Sequence, residues 1–219
     1  MGCGAGSYHP KLAARGVNAV GLDMSFGMVR ECRRQAADQR LLVSLLQADA
    51  QALPFPDATF DRAMANHMLY HVPNIRAALR EIRRVVKPGG RVVLTTNASD
   101  HMHRLRGLHR EAALALGYTP STPSSARFSL DHLRLVRSVF PDARVEMIPN
   151  AFLFPPSEAA TAALQHYASG PIDTLVDRPP DNSHRPKLLA MVREKIQVIV
   201  EREGAFRVQK DAGCFVATA

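Results

Sequence analysis

The sequence predicts an α/β fold, a Rossmann-like doubly wound sheet that is mostly parallel and has an antiparallel C-terminal strand. One observation is that four short apolar stretches alternate with helical ones, at residues 18–25, 40–50, 60–67 and 91–98. Another is a helix over 74–86 with a single apolar stripe, which ends at Pro88 and Gly89. The third is a glycine loop at the start of the chain, of the kind that binds ligands in such sheets.

The second half of the chain is less regular. Helices are predicted near 101–116, 130–140, 157–169 and 187–203, and a long strand at 143–154. Two short β runs flank Asp211–Gly213 and predict a terminal hairpin. We expect one domain overall, in which residues 1–98 form the ligand-binding core. Residues 99–219 would complete the sheet and add helical acceptor-binding or lid insertions, with Phe152, Phe154 and Tyr167 forming an apolar lid.

Composition is that of an ordinary globular chain of 219 residues, and no apolar run approaches the roughly 18 residues that span a bilayer. Cys3, Cys32 and Cys214 lie far apart without CxxC spacing, which predicts reduced thiols in the cytoplasm. The net charge of +8 could indicate a nucleic-acid partner. The arginines are spread out, however, and the densest basic cluster at 101–110 lacks interleaved aromatic residues, so nucleic acid is not favoured.

The glycine loop and two acidic strand ends form the candidate site. Gly2, Gly4 and Gly6 let the backbone approach a ligand, although Ser7 replaces the third glycine of GxGxxG. Asp23 ends a strand 17 residues after Gly6 and could accept the hydroxyls of a ribose or cap the next helix. Asp49 ends the following strand and could accept an adenine amine or be a loop residue. Three such features at one sheet edge predict a nucleoside-binding site.

Four segments in this order resemble the motifs of class I S-adenosylmethionine-dependent methyltransferases, most closely the type 11 group: GCGAG, VGLDMS, ADAQALPFPDATFDRAMANHMLYHV and REIRRVVKPGGRVVL. The resemblance spans about residues 2–98 and implies S-adenosyl-L-methionine as cofactor. It also implies a role for each matching position. Gly2, Cys3, Gly4, Ala5 and Gly6 would face the methionyl part, Asp23 would hold the ribose, Met24 would flank the adenine, Asp49 and Ala50 would contact it, and Asn66 would meet the methionyl amine.

The resemblance implies methyl transfer to a small-molecule acceptor by in-line displacement, without a metal ion. A base is needed where the acceptor must lose a proton, and His71 and Tyr70 are the candidates. His67 is another, and simple packing or helix capping is the alternative for each. His101 and His103 form an H-x-H pair without a third ligand, so no metal site is predicted. An RNA base methyltransferase and a catalytically silent binding protein of the same fold stay as alternative functions.

The family's glycine loop follows a buried strand at the centre of the sheet, and only Met1 stands there in this chain. We therefore expect the central first strand to be missing. It would otherwise pair with the strands around Val20–Leu22 and Ala63–Ala65, so the loop should be poorly anchored. A natural start upstream of Met1 is the simplest explanation. The sequence leaves the oligomeric state open.

Overall fold

The structure, a computed structural model, describes residues 1–219 except for the side chains of 157–160. The chain forms two compact units. The first, called the sheet unit, comprises residues 1–97, 127–147 and 213–219. The second, called the helical unit, comprises residues 98–126 and 148–212. Whether they act as a single domain stays a prediction.

The helices and strands alternate through the first half of the chain, as the sequence predicts. The helices are α1 His9–Ala13, α2 Phe26–Asp38, α3 Ile75–Val85, α4 His103–Ala115, α5 Leu133–Arg137, α6 Pro156–Ala168 and α7 His184–Glu203. The strands are β1 Val20–Asp23, β2 Ser44–Gln47, β3 Phe60–Asn66, β4 Val86–Asn97, β5 Arg144–Ile148, β6 Ala151–Phe154, β7 Phe206–Gln209 and β8 Ala212–Thr218. Within the described residues, none of these helices combines the length and apolar character that a membrane span requires.

Parallel pairing dominates the first half of the chain. Strand β1 pairs with β2 and β3 with β4, both in parallel. The larger sheet has the order β3-β4-β8-β5. Gly89 N–H donates to Ala219 O (3.1 Å) and Ala219 N–H donates to Gly90 O (2.9 Å), so the end of β8 lies beside the start of β4. Strand β8 is therefore antiparallel to β4, and the predicted fold class is confirmed.

The cores form where the periodic patterns place apolar residues. On α3, Ala78, Leu79, Ile82 and Val85 are buried, and Val92 and Leu94 of β4 are buried as well. The helical unit has its own apolar core, to which α7 contributes Leu188, Val192 and Ile196. The hydrophobic effect favours burial of each such Val, Leu or Ile side chain by about 1.5–3 kcal/mol.

Two sequence predictions in the second half are wrong. The strand over 143–154 is divided into β5 and β6, because Pro149 has no N–H to donate to a sheet. Asn150 next to it donates its N–H to the Asp211 carboxylate (2.8 Å) instead of to a neighbouring strand. The hairpin around Asp211–Gly213 does not form either. Strand β7 pairs antiparallel with β6, while β8 pairs with β4 and β5.

A gap separates β1 from β3 inside the sheet unit. Among the described residues, no strand joins them. Residues 1–3 lie at this position and make one hydrogen bond to each side. The Met1 amino group donates to Met64 O (2.7 Å), and Cys3 N–H donates to Leu22 O (2.9 Å). This is the place where the sequence predicts the missing central strand.

Candidate active site

The glycine loop is tied to the end of β1 by the Asp23 carboxylate. Its Oδ2 accepts the Gly4 N–H (3.0 Å), and its Oδ1 accepts the Ser25 N–H (2.9 Å). Ser25 caps α2 by accepting the Met28 N–H. Each carboxylate oxygen has a second lone pair, so Asp23 can still accept hydrogen bonds from a ligand. The expectation of a poorly anchored loop is therefore wrong, because sequence spacing does not reveal this bond between Gly4 and Asp23.

Two of the three glycines are required by close packing. Gly2 has a φ of +62°, and a Cβ there would lie 2.5 Å from the Met68 Cβ. Gly6 has a φ of +94°, and a Cβ there would lie 2.7 Å from Cys32 Sγ. Gly4 also has a positive φ, +51°, but a Cβ there would meet nothing within 4 Å. The loop thus packs inward at Gly2 and Gly6 and leaves open space at Gly4.

A thiol and imidazole cluster lies behind the loop and was missed by the sequence reasoning. Cys32 Sγ lies 3.3 Å from His9 Nδ1, and both residues are buried. Burial raises the pKa of the Cys3 thiol to about 12, with smaller contributions from Cys32 and Asp23. Burial also lowers the pKa of His9. Cys3 therefore keeps its proton at neutral pH and is a poor nucleophile.

The end of β2 lies next to the end of β1. Ala48 N–H donates to Asp23 O (3.1 Å), and Ala50 is buried just beyond it. The Asp49 carboxylate accepts the N–H and the side-chain amide of Gln51 (2.8–3.1 Å). Gln51 in turn accepts the Asn74 N–H at the start of α3 (2.9 Å). Asp49 is therefore held in place by a residue that sequence reasoning did not single out.

Two large apolar side chains stand exposed beside Asp23. Met24 is 66% exposed and Phe26 is 60% exposed. Such side chains are normally buried, and together they offer an apolar surface for a flat ring. Met24 was predicted to flank the adenine. Phe26 was missed, although an aromatic residue three positions after an acidic strand end is a signal visible in the sequence.

The end of β3 carries the remaining predicted residues. Asn66 Oδ1 accepts a hydrogen bond from the Thr95 hydroxyl (3.3 Å), and His67 has a left-handed φ of +50° that turns the chain. A 3₁₀ turn over Leu69–His71 follows. The rings of Tyr70 and His71 lie 4.6 Å apart, edge to face. Burial raises the pKa of Tyr70, so it stays protonated, whereas His71 is exposed.

The structure thus brings most predicted residues to one edge of the sheet unit. Hydrogen bonds join Gly4 to Asp23, β1 lies beside β2, and Gly2 packs on Met68 between Asn66 and Tyr70. Cys3 and Ala5 are half-buried within the loop. Within the described residues no group of three His, Cys, Asp or Glu side chains could hold a metal ion. His101 and His103 lie in the helical unit, where the Nδ1 of His101 can donate to Asp211 O and that of His103 to Asp100 O (both 3.1 Å).

Comparison with known proteins shows which proteins the first half of the chain resembles. A family model described as a methyltransferase domain matches residues 1–94. A malonyl-[acyl-carrier protein] O-methyltransferase from Erwinia pyrifoliae is 42% identical over 96 residues, which are 43% of this chain and 35% of that protein. A demethylmenaquinone methyltransferase from Clavibacter sepedonicus is 41% identical over 95 residues, 43% of this chain and 38% of that protein. The chain thus spans little more than a third of the length of these relatives.

Solved structures show the fold across almost the whole chain. The YcgJ protein from Bacillus subtilis matches with a TM-score of 0.63 at 20% identity. The match covers 99% of this chain and 88% of the YcgJ chain. A putative methyltransferase from Bacillus halodurans matches with a TM-score of 0.61 at 17% identity. This match covers 99% of this chain and 89% of that protein. Residues 1–94 are therefore similar to methyltransferase domains. The resemblance to class I S-adenosylmethionine-dependent methyltransferases is confirmed.

Proposed function

We propose that the protein binds S-adenosyl-L-methionine at the edge of the sheet unit and transfers its methyl group to a small-molecule acceptor. The observation that carries the proposal is the Asp23 carboxylate, which is bonded to the glycine loop and flanked by the exposed side chains of Met24 and Phe26. The family of residues 1–94 supports it. Two relatives are named for methyl transfer to a malonyl group on a carrier protein and to demethylmenaquinone, a quinone precursor. These names support an acceptor of similar chemistry for this protein.

The residues fit this cofactor in chemistry and placement. Asp23 has free lone pairs for the two ribose hydroxyls, and Met24 and Phe26 supply an apolar surface for the adenine. Asp49 and Ala50 would meet the adenine amine and ring. The open space at Gly4 suits the methionyl part, since a side chain there would occupy it. Asn66 would meet the methionyl amine through its backbone.

The bound cofactor supplies a methyl group already activated on a sulfonium. The protein must then hold the acceptor in line and keep water out. An acceptor hydroxyl or acidic carbon must also lose a proton. His71 is exposed in the turn that follows β3, and an imidazole nitrogen can act as a general base. Tyr70 keeps its proton and would orient His71 or the acceptor through its hydroxyl.

Two finer statements belong to the same proposal. A cytoplasmic location is supported by the free thiols of Cys3, Cys32 and Cys214. A small-molecule acceptor is favoured over nucleic acid because the dense basic cluster at 101–110 has no interleaved aromatic residues. A steep salt dependence of RNA binding would favour the RNA base methyltransferase instead.

A catalytically silent binding protein is the second candidate. It is favoured by the gap between β1 and β3, where Met1 and Cys3 supply one hydrogen bond each. Unpaired backbone groups at two inner strand edges would each cost about 1–3 kcal/mol.

Calorimetric titration with S-adenosylhomocysteine, followed by labelled-methyl transfer to candidate acceptors, tests the proposal. The Asp23→Asn variant should bind S-adenosylhomocysteine more weakly by about 1–3 kcal/mol, the scale for losing charge-assisted hydrogen bonds. Asp177→Asn is the matched control, since Asp177 is exposed and lies in the helical unit. A wild-type protein that does not bind S-adenosylhomocysteine would overturn the proposal. Binding without transfer to any acceptor would favour the silent protein.

A further inference from the structure

The outer side of α3 carries a line of arginines. Ala78, Leu79, Ile82 and Val85 occupy its buried side. Arg76, Arg80 and Arg83 follow one another at i, i+4 and i+7, a spacing that places side chains on one face of a helix. The line is about 10 Å long at a rise of 1.5 Å per residue. The three side chains are therefore presented together, on a surface that we call the arginine face.

Most of this positive charge is not neutralised within the protein. Arg84 is ion-paired with Glu81 (2.7 Å) and Asp57 (2.9 Å). Arg83 uses one nitrogen to donate to Val139 O. Among the described residues, Arg76 and Arg80 make no ion pair or side-chain hydrogen bond. A guanidinium has five N–H donors, so the arginine face retains many that are free to bind anions.

The arginine face continues into a hollow. Helix α3 packs against α5, and a hollow of about 450 Å³ between them is lined by Arg80, Arg83, Arg84, Ser138 and Val139. Ser138 donates its hydroxyl proton to Leu135 O (2.6 Å), so the guanidinium groups are the donors available to a ligand. The hollow is thus suited to acidic groups that enter from solvent.

The hollow is separate from the candidate active site. Helix α3 begins just after the turn that holds Tyr70 and His71. Arg83 lies eight residues past Ile75, which is about 12 Å along the helix axis. None of the residues lining the hollow is among those proposed to hold the cofactor. The arginine face therefore needs a function of its own.

We propose that the arginine face is a docking surface for an acidic segment of a partner protein, one that presents carboxylates at the same helical spacing. Arginine pairs bidentately with carboxylates. The carboxylates of Glu81 and Asp57 lie beside Arg84, within the same surface. A protein segment can place a basic residue opposite them, whereas the uniformly anionic backbone of a nucleic acid cannot. The hollow also has no aromatic lining on which bases could stack.

Fluorescence anisotropy with two labelled helical peptides tests the docking surface. One peptide carries glutamates at i, i+4 and i+7 along one face, and the other has the same composition with the glutamates spread around the helix. We expect the protein to bind the first peptide about tenfold more tightly than the second, because only aligned carboxylates can pair with the arginine line together. Equal affinity for the two peptides would overturn the proposal.

A pair of charge-matched variants gives the second arm. Arg76→Glu/Arg80→Glu removes the unpaired part of the arginine face and should lower affinity for the aligned peptide about tenfold or more. Arg33→Glu/Arg193→Glu changes the net charge equally at exposed arginines elsewhere and should leave affinity within about twofold.

An equal loss of affinity for the aligned peptide in both variants would contradict the docking surface. So would tighter binding of an oligouridylate than of an aligned peptide of the same charge. All variants should bind S-adenosylhomocysteine like the wild type and unfold at the same temperature. That readout separates this proposal from the proposed function.

Discussion

The two units use their buried and half-buried polar groups in different ways. In the sheet unit, the Asp23 and Asp49 carboxylates lie at strand ends and accept backbone N–H groups of nearby loops. In the helical unit, His109 and Tyr167 lie inside the core. His109 accepts a hydrogen bond from the Tyr167 hydroxyl (2.7 Å) at Nδ1 and donates to Thr174 O (3.0 Å) from Nε2. The first arrangement orders loops at the sheet edge, and the second connects helices.

The ion pairs of the helical unit show the same structural use. His184 is fully buried, and its Nε2 lies 2.8 Å from the Asp173 carboxylate. Arg185 pairs with the other oxygen of Asp173 (2.6 Å) and also donates to Ala168 O. The start of α7 is thereby joined to the end of α6 and to the 3₁₀ turn Pro171–Asp173. A polar residue in a sequence can thus have either role, and only its surroundings distinguish them.

The largest expected effect is on the stability of the helical unit. Leu188→Ala removes a fully buried side chain from its core and should cost about 2–5 kcal/mol of unfolding free energy. Because Leu188 belongs to the helical unit, affinity for S-adenosylhomocysteine should be unchanged below the unfolding transition. Denaturant unfolding and calorimetry measure both quantities. Leu114→Ala is the control, since Leu114 is 56% exposed in the same unit. A parallel loss of affinity would contradict the separation of roles.

The next largest effect is at the glycine loop. Gly6→Ala puts a methyl group in contact with Cys32 Sγ at a φ of +94° and should lower the unfolding free energy by about 1–3 kcal/mol. It should also weaken S-adenosylhomocysteine binding by displacing the loop. The matched control is Gly107→Ala in α4, where a Cβ meets nothing within 4 Å. That change should stabilise the protein by roughly 0.5–1 kcal/mol. Gly6→Ala with wild-type stability and affinity would show that the loop tolerates a side chain.

A smaller effect is expected at the buried hydrogen bond of the helical unit. Tyr167→Phe leaves His109 Nδ1 without its donor and should cost about 1–2 kcal/mol of unfolding free energy. Tyr8→Phe provides the comparison, because Tyr8 is 48% exposed and makes no side-chain hydrogen bond with the described residues. Thermal unfolding of both variants against the wild type measures the difference. Equal stability of all three would mean that this bond contributes nothing.

The smallest effect is a dependence of stability on pH. Burial is the main cause that lowers the pKa of His109, and burial acts in the same way on His9 and His166. The unfolded chain therefore binds protons at a higher pH than the folded protein. The stabilisation that comes from keeping these histidines neutral is fully present above about pH 6.5, the ordinary pKa of histidine. It is lost as the pH falls below that value. Urea unfolding between pH 5 and pH 8 should show this slope, and His109→Gln should reduce it. An unchanged slope in that variant would exclude His109 as a contributor.

The sequence alone determined the alternation of strands and helices in the first half of the chain, the apolar side of α3 and the acidic ends of β1 and β2. These features depend on residues close in sequence, because periodicity and strand ends are local. The family resemblance over residues 2–98 has the same basis, since it rests on ordered local motifs. Roles for the individual site residues stay predictions.

Only the tertiary structure decided which hydrogen-bonding groups far apart in sequence become partners. The bond between Gly4 and Asp23 spans 19 residues, and that between His109 and Tyr167 spans 58. The separation of β7 from β8 into different sheets depends likewise on distant pairing. Backbone and side-chain donors are alike along the chain, so local patterns cannot select among acceptors that are far apart in sequence. That choice is made when the whole chain packs.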